Sequence, residues 1–93
     1  MSELLRVIDD PGFKTFKEID GTAGHTKGYA FRAFKKLSMA WVEGREFYCC
    51  DSRIDPHAFA ELAARGRLYA GTVNAVLISA DAERDMLGEQ VSR

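Results

Sequence analysis

Apolar residues return every three or four positions through the stretch YAFRAFKKLSMAW. Wound at about 100° per residue, Ala30, Ala33, Phe34, Leu37 and Trp41 share one face, while Gly28, Arg32, Lys35, Lys36 and Met39 fall opposite. A strand would alternate instead. Thr26 suits an N-cap and Gly44 a terminator. The pattern therefore predicts an amphipathic helix over 27–43 with one core face and one basic face.

Shorter elements flank it. LLRVI, residues 4–8, reads as a strand. Asp10-Pro11 looks like a cap followed by proline at the first helical position. Phe13, Phe16 and Ile19 continue that helix at three-residue spacing, up to a turn over Gly21 to Gly24. Arg45 to Cys50 read as an aromatic strand. Asp55-Pro56 repeats the cap-and-proline signal, and HAFAELAAR forms a helix ended by Gly66. Thr72 to Ser79 read as a buried strand from their β-branched residues, although Val73, Val76, Leu77 and Ala80 also fit a helical face. Asp81 to Gln90 close the chain as a helix. The predicted order is β-α-α-β-α-β-α: a single α+β domain over 1–93, with a helix-turn-helix-like pair and a short antiparallel sheet or wing.

Composition narrows the class. Apolar residues make up 46% of the 93 positions and charged residues 29%, which is ordinary globular usage. No apolar run approaches the roughly 20 residues that cross a bilayer, and the acidic start MSELLRVIDD is not a signal peptide. The expectation is a cytoplasmic protein without membrane contact. Cys49 and Cys50 are adjacent, so on a strand they point to opposite faces and cannot bridge without distortion. One should be buried and both reduced. A zinc site from His25, His57 and these thiols would lack the usual spaced cysteine pair, so no metal and no cofactor is predicted.

GTAGHTKG is rich in glycine but does not match the phosphate-loop pattern, because Lys27 is followed by Gly28 rather than Ser or Thr. What it leaves is a generic anion site at a helix amino terminus, Thr26 to Gly28, with Lys27 beside it. No serine or cysteine has an evident base at motif spacing, so no catalytic residue is predicted and the chain is not read as an enzyme. The net charge of −1 conceals an asymmetry. Residues 14–45 hold seven lysines and arginines against three acids, and residues 54–93 hold four against six. An anionic partner would meet the amino-terminal half. Gly28 on the basic face would let another molecule approach the backbone closely, and Tyr29 beside it could donate to a phosphate or stack on a base.

The run FKEID, a glycine-containing turn, HTKGYAFRAF and WVEGREFY, followed later by Val76 to Ser79, resembles the amino-terminal DNA-binding domain of phage antirepressor and regulatory proteins, within the KilA N-terminal superfamily. The resemblance covers residues 16–48 and 76–79. It implies sequence-directed binding of double-stranded DNA by a small regulator of phage or mobile-element type, with Thr26, Lys27, Tyr29, Arg32, Lys35 and Lys36 at the interface. Arg45, entering the next strand, joins these candidates. So few cations on a monomer imply a homodimer or a partner protein. The alternative is a protein-interaction module, an inhibitor or adaptor of a host protein without enzymatic activity, using an apolar patch from Phe31, Met39 and Tyr48. The DNA reading needs the basic face free of Glu43, Glu46 and the acids Asp81, Glu83 and Asp85.

Overall fold

The computed structural model describes residues 3–91. Among these residues, five α-helices and one three-stranded antiparallel sheet make a small single-domain α+β fold. In chain order they are α1 (Glu3–Asp9), β1 (Phe13–Lys14), α2 (Phe16–Ala23), α3 (Tyr29–Leu37) with a 3-10 turn over Ser38–Ala40, β2 (Phe47–Asp51), α4 (Pro56–Ala64), β3 (Asn74–Ser79) and α5 (Ala80–Val91). None of the helices is long and apolar enough to cross a membrane.

The sheet order is β1-β3-β2. β3 is central and antiparallel to both neighbours, running from Phe47 opposite Ile78 to Asp51 opposite Asn74 on one side, and pairing Phe13 with Ser79 and Lys14 with Ile78 on the other. Its alternating side chains feed two cores. Ala75 and Leu77 join Cys50 and a cluster built from α1 and α4: Leu4, Val7, Ile8, Ala58 and Leu62. Ile78 and Phe47 join Ile19, Ala30, Ala33, Ala82 and Met86 from α2, α3 and α5, with Val76 packed against them. Helices thus cover both faces of the sheet. That explains why NAVLIS is nearly continuously apolar, and it settles the strand-or-helix ambiguity over 72–79 in favour of a strand, which starts at Asn74 rather than Thr72.

Residues 4–8 form part of a helix, not the expected strand. Leu4, Val7 and Ile8 are buried at i, i+3 and i+4, and that spacing lays them on α4. The second correction concerns Asp10-Pro11. It does not open a helix: the Asp10 carboxylate accepts the Gly12 N–H at 2.8 Å in a turn, and the chain then enters the short β1. α2 starts later, at a capping box. The Thr15 hydroxyl accepts the Glu18 N–H and the Glu18 carboxylate accepts the Thr15 N–H at 2.9 Å, satisfying two donors the helix cannot bond itself. α2 then continues through Gly21 to Ala23, where a turn was expected. α4 begins at Pro56 and ends before Gly66, as expected.

Arg67 ties the segment before β3 to the rest. Its guanidinium donates to the carbonyls of Ile8 and Phe13, at 2.7 and 3.1 Å, and to both Glu18 oxygens. The Thr15 hydroxyl donates back to the Arg67 carbonyl at 2.6 Å. The segment is thereby held against α1, β1 and α2.

Candidate nucleic-acid interface

The turn between α2 and α3 sets how the basic helix is presented. Gly24 adopts a left-handed conformation, φ 70°, and closes α2. The Gly24 N–H reaches the Gly21 carbonyl at 3.3 Å and the His25 N–H reaches the Asp20 carbonyl at 2.9 Å, the paired bonds of a Schellman end. Gly28 then occupies the N-cap of α3 with φ 97° and offers no side chain to cap with. That positive φ, rather than the approach of another molecule, accounts for a glycine here.

The cap comes from Asp20, which is 2% exposed. Its carboxylate accepts the Gly28 N–H at 3.1 Å, the Ala30 N–H at 2.8 Å and the Tyr69 hydroxyl at 2.6 Å. The anion site expected at Thr26 to Gly28 is therefore filled from within the chain: an internal carboxylate already sits at the positive end of α3. Its hydrogen bond to the Tyr69 hydroxyl, aided by burial, pushes that phenol up to about 12.

The candidate residues divide accordingly. Thr26 is exposed and is not the cap; its carbonyl accepts the Tyr29 N–H at 3.2 Å. Tyr29 is half-buried, stacked on His25 with ring centroids 3.8 Å apart, and its hydroxyl points to the Met86 carbonyl of α5 at 3.5 Å. Arg45 lies outside α3 and is held by Glu46, with contacts of 2.9 and 3.0 Å. This pairing raises the Arg45 pKa and lowers that of Glu46. Arg32, Lys35 and Lys36 are all exposed on α3. The Lys35 ammonium lies over the Phe31 ring at 5.4 Å, and the Lys27 ammonium over the Tyr69 ring at 5.0 Å. The helix is shorter than predicted, ending at Leu37 rather than near Glu43, but its two faces hold. Ala30 and Ala33 are buried, and Phe34, Leu37 and Trp41 pack against the same core.

Ion pairing separates the cations by region. Arg6, Lys14, Arg45, Arg53, Arg65, Arg67 and Arg84 each have an acidic partner. The other described cations are Lys17, Lys27, Arg32, Lys35 and Lys36, and among the described residues none of these five is ion-paired. All of them fall on α2, the turn or α3. Of the five acids that could have neutralised the basic face, Glu46 pairs with Arg45, Asp81 with Arg84 and Glu83 with Lys14, and Glu43 sits beside Cys49. α5 does pack beside α3, through Tyr29 and Met86, without placing a paired acid on it.

Sequence reasoning missed Lys17, Asp20 and Tyr69. Lys17 sits in the first turn of α2 and its ammonium donates to the Gly66 carbonyl at 3.0 Å. The T-F-K-E box at 15–18 was a local signal for where α2 starts. Nothing local marks Asp20, whose partners lie eight, ten and 49 positions away. Of the expected apolar patch, Phe31 and Met39 are 48% and 93% exposed. Tyr48 is elsewhere, edge-on to Phe13 at 5.5 Å with its hydroxyl on Glu3.

Cys50 is buried and Cys49 exposed, both free. Desolvation, with Glu43 beside Cys49 and Asp55 beside Cys50, pushes both thiols up to about 11, so neither is an activated nucleophile. Among the described residues no three His, Cys, Asp or Glu side chains come together as metal ligands. Neither a family model, nor a curated protein, nor a solved structure matches this chain.

Proposed function

We propose that this protein is a small DNA-binding regulator of phage or mobile-element type that meets double-stranded DNA with the exposed face of α3. The observation that carries the reading is the segregation of unpaired cations: Lys17, Lys27, Arg32, Lys35 and Lys36 lack acidic partners, while every other described lysine and arginine has one. Exposed cations of this kind can neutralise phosphates and release counterions from the duplex. The resemblance of residues 16–48 to phage regulatory DNA-binding domains points the same way. Tyr29 faces α5 in this reading, so base-edge contact falls to Arg32, whose guanidinium can bond a guanine edge for about 1–3 kcal/mol of discrimination. With Arg32 on a base edge, the four lysines support only weak phosphate binding by a monomer, and a homodimer would double those contacts.

The test is fluorescence anisotropy on duplex DNA carrying the protein's own promoter, across a salt series. Four neutralised phosphates give a slope of log K against log salt of about −3.6 per protomer. Arg32→Ala with Lys36→Ala should weaken binding, flatten that slope by about 1 and leave the melting temperature unchanged. Undiminished DNA binding by the folded double variant would refute the assignment.

A further inference from the structure

β3 has two edges, and they are covered unequally. The Ser79 N–H donates to the Glu46 carbonyl at 2.9 Å and the Val73 carbonyl accepts the Ser52 N–H at 3.0 Å. Backbone groups alternate sides along an antiparallel strand. Residues 73, 75, 77 and 79 therefore bond toward β2, while Asn74, Val76 and Ile78 bond the opposite way. On that side β1 reaches only Ser79 and Ile78 before the chain turns into α2. Among the described residues no hydrogen bond reaches the backbone N–H or C=O of Asn74 or Val76. Such an edge is a template for another strand.

A groove runs along this edge. Beside Asn74 to Val76 it holds about 320 Å³, walled by Phe16 and Phe31 on the helical side and by Leu68, Tyr69 and Val73 on the other. It continues past Phe31 and Tyr69 into a further space of about 290 Å³ beside Lys27 and Gly28. Phe31 and Val73 are 48% and 63% exposed, so the walls offer apolar surface to an occupant. The rim is cationic. Lys17 lines the groove, and Lys27 and Lys35 are held over the Tyr69 and Phe31 rings, none of them with an acidic partner. Asp20, the acid in the lining, is buried and already engaged by three donors.

We infer that this groove docks an extended acidic peptide of a partner protein, which adds as a short strand along Asn74 to Val76. Main-chain bonds to the free edge would hold the peptide. An apolar side chain would lie against Phe31, and its carboxylates would meet Lys17, Lys27 and Lys35. The open edge spans only about three residues at roughly 3.3 Å each, so the apolar and charged contacts supply much of the selectivity. The inference does not rest on DNA binding; Lys17, Lys27 and Lys35 are common to both readings, whereas Arg32 and Lys36 lie outside the groove and separate them.

The probe is a short blocked peptide with a valine–phenylalanine–valine centre flanked by glutamates, compared with its counterpart carrying lysines instead. Anisotropy should show the acidic peptide binding about tenfold more tightly or better at low salt. Amide hydrogen exchange should slow at Asn74 and Val76 when it is present. Val76→Pro removes the edge N–H while leaving the bonds to β2, and should abolish peptide binding with DNA binding retained. If that variant does not fold, Phe31→Ala removes a wall and should weaken the peptide at least several-fold. Arg32→Ala with Lys36→Ala should keep the peptide and lose DNA. The inference is overturned by equal binding of the two peptides or by unslowed exchange at both amides. Protection that grows with protein concentration alone would identify a second copy as the occupant and also overturn it. The same holds if duplex DNA protects those amides, which would make the groove part of a nucleic-acid surface.

Discussion

Replacing Asp20 tests whether α3 is positioned as described. The carboxylate is buried, lacks an ion-pair partner among the described residues, and accepts from Gly28, Ala30 and Tyr69. Asp20→Ala leaves three donors behind. The Ala30 N–H is buried and stays unsatisfied, at about 1–3 kcal/mol. The Tyr69 hydroxyl is half-exposed and can turn to water, so its loss is about 1 kcal/mol. Loss of an N-cap, about 1 kcal/mol, overlaps with the Ala30 contribution rather than adding to it. Against these, the substitution relieves the cost of holding a desolvated charge. The net expectation is a destabilisation of about 2–3 kcal/mol, which in a domain of this size lowers the melting temperature by roughly 8–24 °C. Asp20→Asn keeps the shape but turns an amide donor toward a donor, and should cost about 1–2 kcal/mol.

Thermal and urea unfolding followed by circular dichroism would read both variants. Tyr69→Phe supplies the control. Alone it should cost about 1 kcal/mol, and in the Asp20→Ala background almost nothing, because its partner is already gone. A nine-residue helix such as α3 is marginal in isolation, so its start depends on this remote cap. Asp20→Ala within about 0.5 kcal/mol of the wild type, or strict additivity with Tyr69→Phe, would refute the reasoning.

Gly28→Ala must adopt a positive φ and brings a Cβ within 3.1 Å of the Arg32 guanidinium. It should destabilise by about 1–2 kcal/mol in urea unfolding, with DNA affinity of the folded fraction little changed; a large affinity loss at unaltered stability would instead favour close approach of a ligand at Gly28. Tyr69 has its pKa raised in the folded state, so the fold favours the protonated phenol. That contribution is complete below the ordinary tyrosine value near 10 and is lost as pH rises toward about 12. Unfolding free energy measured across that window should fall more steeply for the wild type than for Tyr69→Phe, and equal slopes would contradict the pairing with Asp20.

The sequence was most legible where a periodic signal and a terminal signal agreed. Ala30, Ala33, Phe34 and Leu37 reveal the core face of α3 because spacing alone fixes it, and Asp55-Pro56 with Gly66 brackets α4. It was least legible where local and non-local terms disagreed. LLRVI is β-branched enough to read as a strand, but Leu4, Val7 and Ile8 find their partners on α4 only if they wind. Pro11 imitates a helix start, yet Asp10 closes a turn and the working cap is Thr15 with Glu18. The two residues of β1 are a strand because β3 lies beside them. The cap of α3 is a side chain on the preceding helix, which no window around Thr26 contains.

The same distinction governs the charges. Counting along the chain locates an excess of cations in the amino-terminal half but not which of them are free. Arg45 belongs to that excess and is paired in the fold; Lys17 belongs to it and has no acid. Within α3, Arg32 stands three and four positions before Lys35 and Lys36, and like charges at those spacings cost a helix about 0.2–0.5 kcal/mol per pair. Lys35 and Lys36 lie in the last turn, where cations gain about 0.3–1 kcal/mol from the helix dipole. These terms nearly cancel, and no ion pair is lost when the side chains are shortened. The cluster therefore contributes almost nothing to folding, so a change in DNA binding on removing Arg32 and Lys36 reports on the surface itself rather than on a damaged fold.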